Sequence, residues 1–167
     1  TPLADLDIVG FTLQSELTYT NLLTTLDLGG VALRSEDRSL KDPFVVAGGA
    51  GCLNPEPLAN FVDFFLLGDG EEAVIHFSHV FQKERGLHST RHEFLRAVNQ
   101  QCPYIYTPAL WTAKYDGPAL LSMTPEEDVG TPQNAVVYDL ENAPYPTAPI
   151  VPSIRTIHDR ITVEIMR

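Results

Sequence analysis

The apolar positions of this chain fall into short, almost uninterrupted runs. Three of them occupy residues 6–13, 44–47 and 62–67 and are rich in β-branched and aromatic side chains. Such runs are typical of strands buried on both faces, as in a parallel sheet. A stretch with the spacing of a buried helical face follows the first run, over residues 15–28. The pattern therefore predicts parallel strands that alternate with helices.

Further helices are predicted from capping signals. Asn54 and Pro55 favour the start of a short helix over residues 54–61. A longer helix is predicted over residues 71–85, and Thr90 with Glu93 forms a capping-box pattern that opens another over residues 90–99. Short strands are also expected at residues 31–33 and 135–139. Three strand-then-helix units in succession favour an α/β fold with a doubly wound, Rossmann-like parallel sheet.

Small and hydroxyl-bearing residues follow each of the three main strands, where open α/β sheets bind their ligands. The candidate binding residues are Thr12, Ser15, Gly48, Gly49, Gly68, Gly70 and Glu71. Glycine allows a ligand to approach the backbone, and hydroxyls can donate to a phosphate or a ring nitrogen. Each also has a structural interpretation: tight turns need glycine, Ser15 can cap the next helix, and Glu71 suits a helix N-terminus. The capping role is favoured for Ser15.

The second half of the chain changes in composition. Residues 102–115 are aromatic and alternating, and Asp116-Gly117 follows them, so a β-hairpin beyond the main sheet is predicted. Its aromatic residues, Trp111 with three tyrosines, fit a stacking platform or, preferably, a small hydrophobic core. Residues 120–134 are interpreted as an acidic loop and residues 143–152, with four prolines, as a stiff linker. Residues 161–165 alternate like a strand.

The overall charge and the cysteines narrow the classes of function. The 167 residues carry 22 acidic and 11 basic side chains, a net charge of −11, which argues against binding to a nucleic-acid backbone. Cys52 and Cys102 form no CxxC pair, so a reducing, cytoplasmic location is expected, and no apolar run is long enough to span a membrane. Packing is the favoured role of Cys52.

The histidines and the two ends of the chain lead to two further expectations. His76, His79, His88 and His92 lack the partners of a metal motif, so no metal ligand and no catalytic residue is assigned. The chain begins without Met and ends directly after an apparent strand. A fragment of a longer protein is therefore expected, and its exposed sheet edge predicts self-association or marginal stability.

Several motifs follow one another along the chain: residues 7–21, Ala47-Gly48-Gly49, residues 54–57, residues 68–71, and a tail that includes residues 149–152, His158-Asp159-Arg160 and residues 163–167. In this order they resemble a family of uncharacterised radical SAM proteins with a cobalamin-binding-like domain at their N-terminus. The resemblance extends over nearly the whole chain.

The resemblance implies a domain division and a set of cofactors. Residues 1–101 would be a cobalamin-binding-like segment, 102–142 an aromatic β-rich extension, 143–160 a linker, and 161–167 the first strand of a radical SAM barrel. The parent protein would cleave S-adenosylmethionine at a [4Fe–4S] cluster whose cysteines follow residue 167, and cobalamin is the candidate cofactor of this segment. The segment itself would be non-catalytic, with the barrel of the same chain as its partner. Two rivals remain: a nucleotide- or phosphate-binding module, and a docking domain without a ligand, its glycine edge closed by side chains such as Leu53 or Phe11.

Overall fold

The computed structural model of the protein describes residues 2–145 and residue 147. Over these residues the chain forms a four-stranded sheet, three α-helices and a separate β-hairpin. The strands of the sheet are β1 (Ile8–Thr12), β2 (Phe44–Gly48), β3 (Phe64–Leu66) and β4 (Ile105–Tyr106). The helices are α1 (Tyr19–Leu28), α2 (Gly70–Glu84) and α3 (Arg91–Gln101), and the hairpin consists of β5 (Trp111–Asp116) and β6 (Ala119–Pro125).

The sheet has the order β1-β2-β3-β4. Its first three strands are parallel, with Thr12 opposite Gly48 and Ala47 opposite Phe65, as the sequence predicted. The α/β class is thereby confirmed. The fourth strand is antiparallel to β3. These four strands follow the chain order without a reversal, so they contain no topological switch point, and a Rossmann-like order is not established.

Both faces of the sheet are covered at β2 and β3, which explains why these two strands read as continuous apolar runs. On one face Val45 and Phe65 pack with Leu22 and Leu26 of α1. On the other face Phe44 and Phe64 pack against aromatic residues of α2 and α3, namely Phe77, Phe81 and Phe94. Phe64 and Phe65 are neighbours in sequence and are both fully buried, one on each side. Full burial of such a side chain stabilises the fold by about 2–3 kcal/mol.

The helix predictions were right for the long helices and wrong in several details. The capping box of Thr90 and Glu93 forms at the start of α3. Ser15, however, does not cap a helix through its side chain; its carbonyl accepts hydrogen bonds from Thr18, in a 3₁₀ turn before α1. The helix expected at residues 54–61 is only a 3₁₀ turn, Glu56–Leu58. Residues 31–33 form no strand.

The aromatic hairpin is displaced from its predicted position. Ile105–Tyr106 pairs with β3 and closes the main sheet, whereas the hairpin is made by β5 and β6 around the turn at Gly117. The strand β6 extends to Pro125 into the stretch interpreted as an acidic loop. The strand expected at residues 135–139 is reduced to one bridge between Ala135 and Gly68. Cross-strand partners decide these boundaries, and alternation alone does not identify the partner.

Three predictions concern residues that lie largely outside the described part of the chain. They are the linker over residues 143–160, the barrel strand over 161–167, and the weak contact between that strand and the sheet. Among the residues that the structure does describe, no helix is both long and apolar enough to cross a bilayer.

Candidate functional site

The carboxyl edge of the parallel strands brings several of the candidate residues together. Thr12 and Gly48 are partners in the β1–β2 register, and Gly49 follows directly. Gly68 lies two residues beyond the end of β3, and Gly70 and Glu71 open α2. Ser15 stands apart, three residues after β1 at the start of a 3₁₀ turn. The expected edge therefore exists, and its role in ligand binding stays a prediction.

Gly49 packs against the backbone of the same chain. It has φ +99°, and a Cβ atom at this position would lie 2.7 Å from the carbonyl oxygen of Leu13. The Leu13 N–H donates to the Gly48 carbonyl at 2.7 Å, and the Gly51 N–H donates to the Leu13 carbonyl at 2.8 Å. Leu13 therefore occupies the space that a larger side chain at position 49 would need. Gly48 differs, because its Cβ would meet its nearest neighbour only at 3.9 Å.

Gly68 is enclosed in a similar way, by the segment around Ala135. It has φ +93°, and its Cβ would lie 2.2 Å from the Ala135 carbonyl oxygen. The Ala135 N–H donates to the Leu67 carbonyl at 2.8 Å, and the Asp69 N–H donates to the Ala135 carbonyl at 2.9 Å. The Asp69 carboxylate in turn accepts from the Val137 N–H at 2.9 Å. This segment continues the sheet beside β3 after β4 has turned away.

The glycines of this edge therefore differ in the space that they leave. Both left-handed glycines are filled by the chain's own backbone, Leu13 at one and Ala135 at the other. Of the two side chains named for such a closure, Leu53 is 76% exposed and does not provide it, whereas Phe11 is partly buried and packs against the core on the α1 face. Among the described residues no buried side-chain nitrogen or oxygen lacks a hydrogen-bond partner that a ligand could supply. What remains open is the surface around Thr12 and Gly48.

The cysteines and histidines of the described residues do not fit an iron–sulfur cluster. Cluster iron is held by cysteine thiolates, and the whole chain has two cysteines. Cys52 and Cys102 are 1% and 0% exposed and belong to the cores on opposite faces of the sheet. Burial raises the pKa of the Cys52 thiol to about 11 and also raises the pKa of Cys102, which favours inert thiols. No group of three or more potential metal ligands occurs within the described ranges.

A buried ionic cluster at the opposite, amino edge of the sheet was missed by sequence reasoning. Asp63, just before β3, is fully buried and accepts from Arg38 Nη1 at 2.7 Å and from Arg91 Nη2 at 2.8 Å. Ser35 and the Val45 N–H also donate to its carboxylate. Burial lowers the pKa of the Arg38 guanidinium, and the adjacent Asp63 carboxylate opposes that shift. The sequence feature that could have indicated this cluster is a carboxylate, Asp63, inside the otherwise apolar run 62–67.

The remaining donors of the two arginines are used by backbone carbonyls. Arg38 donates to the carbonyls of Ala32 and Leu33, and Arg91 donates to those of Ser39 and Pro43. The Arg91 guanidinium also stacks on the Phe44 ring, with Cζ 3.8 Å from the ring centre. This cluster joins the loop before β2, the start of β3 and the start of α3. Because its groups form hydrogen bonds with one another and with these carbonyls, the cluster stabilises the amino edge. It has no donor that is kept for a substrate.

A groove of about 700 Å³ lies between this edge and the β5–β6 hairpin, and we call it the hairpin groove. Its aromatic wall comprises Tyr106, Trp111 and Tyr115, and Met123 lies beside them. The Tyr106 hydroxyl donates to the Glu56 carboxylate, and burial together with this bond raises the pKa of Tyr106. Tyr106 belongs to the core on the α1 face of the sheet and Trp111 packs against that core, as the preferred interpretation expected, whereas Tyr115 is exposed. Tyr104, the fourth aromatic residue considered, lies elsewhere and donates to the Ala73 carbonyl at 2.9 Å.

The comparisons with known proteins produced one match. A family model described as "Radical SAM proteins, N-terminal" matches residues 1–108. That range contains all four strands of the main sheet and all three α-helices of the described residues. No curated protein and no solved structure matches the chain significantly.

Proposed function

This chain belongs to the family of N-terminal regions of radical SAM proteins, and from that premise we propose that it is a non-catalytic domain that docks on and positions the radical SAM barrel of its parent protein. The supporting observation is that the match spans the complete main sheet, while the chain offers only two cysteines, both buried. In such a parent protein the [4Fe–4S] cluster supplies the electron that cleaves S-adenosylmethionine, and the barrel would hold it. The buried unpaired thiols fit a cytoplasmic protein.

A docking role is supported further by the glycine edge. The chain's own backbone fills the space beside Gly49 and Gly68. This packing explains why glycine is needed at both positions, without any ligand. A domain of this kind contributes by binding and orienting its neighbour, while the cofactors carry the reaction.

The proposal is tested by comparing this 167-residue chain with its full-length parent protein, each reconstituted anaerobically with iron and sulfide. The parent should show the absorption of a [4Fe–4S] cluster. After reduction with dithionite, the electron donor, it should show the electron paramagnetic resonance of the reduced cluster and convert S-adenosylmethionine to methionine and 5′-deoxyadenosine. The chain alone should bind no more iron than its Cys52→Ser/Cys102→Ser variant and release none of this product. A cluster or product formed by the chain alone would overturn the non-catalytic assignment.

The docking step needs its own measurement. The isolated barrel of the parent, mixed with this chain, should form a complex in sedimentation experiments and gain activity. A barrel that reaches full activity without the chain, and does not bind it, would exclude the positioning role.

A second candidate function is the binding of cobalamin or a nucleotide at the carboxyl edge. Of the residues that the sequence suggests for it, namely Thr12, Ser15, Gly48, Gly49, Gly68, Gly70 and Glu71, the pair Thr12 and Gly48 would form the contact surface, because the chain's own backbone fills the space at Gly49 and Gly68. The observation that favours it is the open surface at the Thr12–Gly48 pair, at the carboxyl ends of two parallel strands. Gly48→Val is the informative variant, because a side chain there meets nothing closer than 3.9 Å. Gly10→Val, also with open space, is its matched control.

The ligand experiment titrates full-length protein with hydroxocobalamin or adenosine monophosphate. A corrinoid changes the visible spectrum, whereas a nucleotide is followed by calorimetry. Binding that is weakened by Gly48→Val and unchanged by Gly10→Val would support this site. No binding of either compound would leave the docking role as the better account.

A further inference from the structure

The hairpin groove contains a carboxylate that is held in one orientation and only half used. Glu56 lines the groove and is partly buried. It opens a 3₁₀ turn between Pro55 and Pro57, whose rings restrict the backbone on both sides. One oxygen of its carboxylate accepts a hydrogen bond from the hydroxyl of the buried Tyr106. The other oxygen has no hydrogen-bond partner among the described residues, so an oriented acceptor is available to a ligand.

An accessible aromatic ring lies close to this carboxylate. Tyr106 connects the two groups, because its hydroxyl bonds Glu56 and its ring centroid lies 5.8 Å from that of Trp111. Trp111 is only partly buried: it packs against the core and also lines the groove. Tyr115, which is 56% exposed, and Met123 continue this lining. The groove therefore combines an ionised acceptor with a ring that a ligand can contact.

A carboxylate beside an indole ring is the combination that an arginine side chain can use in full. A guanidinium group is planar and always charged, stacks on aromatic faces and donates to carboxylates from a rigid fork. Among aromatic side chains, tryptophan attracts a cation most strongly to its face. A lysine ammonium is a compact, strongly hydrated charge with no flat face for stacking. The pair of Glu56 and Trp111 therefore favours arginine over lysine and over a neutral side chain.

The other charges of the groove are compatible with a bound cation. Glu36 contributes a second carboxylate to the lining and is paired only at 3.4 Å, with the exposed Arg34. Arg38 and Arg91 also line the groove, but their guanidinium groups are almost fully buried against Asp63 and backbone carbonyls. The chain as a whole has a net charge of −11, which attracts basic partners at long range.

We propose that the hairpin groove binds an arginine-bearing segment of a partner protein. The arginine stacks on Trp111, and its guanidinium donates to the carboxylate of Glu56. The groove has a volume of about 700 Å³, within the range of pockets that bury ligands larger than one side chain, so residues that flank the arginine lie against Tyr115 and Met123. The inference goes beyond the proposed function, because it requires neither a radical SAM barrel nor a cofactor.

The chain's single tryptophan, Trp111, allows a direct test because it lines the groove. Its fluorescence is followed while the 167-residue chain is titrated with a capped pentapeptide that has arginine at its centre and alanine elsewhere. Two matched peptides carry lysine or citrulline instead, and citrulline keeps the shape of arginine without its charge. We expect a saturable change with the arginine peptide, weaker binding with lysine, and binding about ten-fold weaker with citrulline, because a hydrogen bond between charged groups is lost.

Variants of the groove separate charge from shape. Glu56→Gln keeps an oxygen that can accept from Tyr106, and it should weaken binding of the arginine peptide about ten-fold. Glu127→Gln removes the same charge at an exposed position outside the groove and should leave the affinity unchanged. Trp111→Leu, followed by calorimetry, should weaken binding about three-fold, because the cation–π contact is lost. Far-ultraviolet circular dichroism confirms that the variants keep the fold.

Three results would overturn the proposal. An equal response to the arginine and citrulline peptides, or no response to either at millimolar concentration, would show that the groove does not select a cation. An equal loss in Glu56→Gln and Glu127→Gln would mean that the overall negative charge attracts the peptide. Capped arginine alone, bound as tightly as the pentapeptide, would assign the groove to a small free cation, and the protein segment would be wrong.

Discussion

Asp63 and Arg91 are 28 residues apart in sequence, yet their carboxylate and guanidinium lie 2.8 Å apart, almost entirely removed from solvent. The bond ties the start of α3 to the start of β3. Arg38 donates to the same carboxylate oxygen at 2.7 Å, so one buried carboxylate is shared by two buried guanidinium groups. The amino edge of the sheet therefore depends on this acid.

Removal of the Asp63 carboxylate should be strongly destabilising, because it leaves two buried guanidinium groups without their anion. We expect Asp63→Ala to lower the free energy of unfolding by about 3–5 kcal/mol. Asp63→Asn keeps the shape and should also be destabilising, since the charge is lost. Asp37→Ala, at an exposed position, is the control and should stay within about 0.5 kcal/mol of the wild type. Urea denaturation measures all three, and a loss below 1 kcal/mol for Asp63→Ala would contradict the assigned role.

The glycines at the carboxyl edge should differ in how well they tolerate substitution by alanine, according to the space around them. Gly49→Ala and Gly68→Ala combine a positive φ with contact to backbone atoms at 2.7 and 2.2 Å. We expect each to cost about 2–3 kcal/mol or more, because backbone cannot yield as a side chain can. Gly86→Ala has a positive φ but open space, and should cost only about 1 kcal/mol.

Gly48→Ala and Gly10→Ala complete this series as tolerated substitutions, since neither has a positive φ nor a close neighbour. Thermal unfolding ranks the five variants. If Gly49→Ala proved as stable as Gly10→Ala, Leu13 would not hold the position that closes this turn. The same geometry argues that Gly49→Val would disturb the fold and cannot serve as a clean test of ligand binding.

The contacts of Glu126 with α3 predict that the stability contributed by this part of the chain depends on pH. Its carboxylate accepts from Arg96 and, at 2.9 Å, bonds His92. The hydrogen bond from Arg96 holds the pKa of Glu126 below its ordinary value. A carboxyl group whose pKa is lower when folded stabilises the protein above its unfolded pKa, near 4.3, and loses this contribution as the pH falls through the folded pKa.

Glu126→Gln should therefore reduce stability by about 0.5–1 kcal/mol at pH 7, because the pair is partly exposed. The difference from the wild type should shrink toward pH 3. The neighbouring Glu127→Gln, at an exposed position, is the control and should change little at either pH. Denaturation at both pH values makes the comparison. A penalty that stays constant with pH would show that Glu126 acts through packing.

The outer edge of β1 should mediate self-association. Among the described residues β1 pairs only with β2, and Gly10 on β1 has open space around it. Unpaired strand edges invite association, and a lysine on the edge opposes it. Sedimentation velocity over a concentration series should show association of the wild type that Gly10→Lys reduces.

Thr20→Lys adds the same charge on the exposed surface of α1 and should leave the association unchanged. A wild type that remains a monomer throughout the series would contradict this prediction. An equal effect of both lysines would mean that net charge, rather than the edge, controls the association.

The sequence predicted the three parallel strands because each is nearly continuous in apolar residues, and a strand with two buried faces has no polar alternation. It also located α3, since the Thr90–Glu93 capping box is a local signal that needs no distant partner. It could not predict which strand Ile105–Tyr106 would join, because that choice depends on the unpaired edge of β3.

In the candidate site, too, one part was predicted from the sequence and another part was not. The sequence by itself determined that Thr12, Gly48 and Gly68 follow parallel strands and so meet at one edge, because strand direction and chain order require it. Only the tertiary structure decided that Leu13 and Ala135 fill the turns at Gly49 and Gly68, and that Asp63 binds arginines 25 and 28 residues away. These are contacts between distant segments, and the free energy that selects them comes from burial and hydrogen bonds that no local pattern encodes.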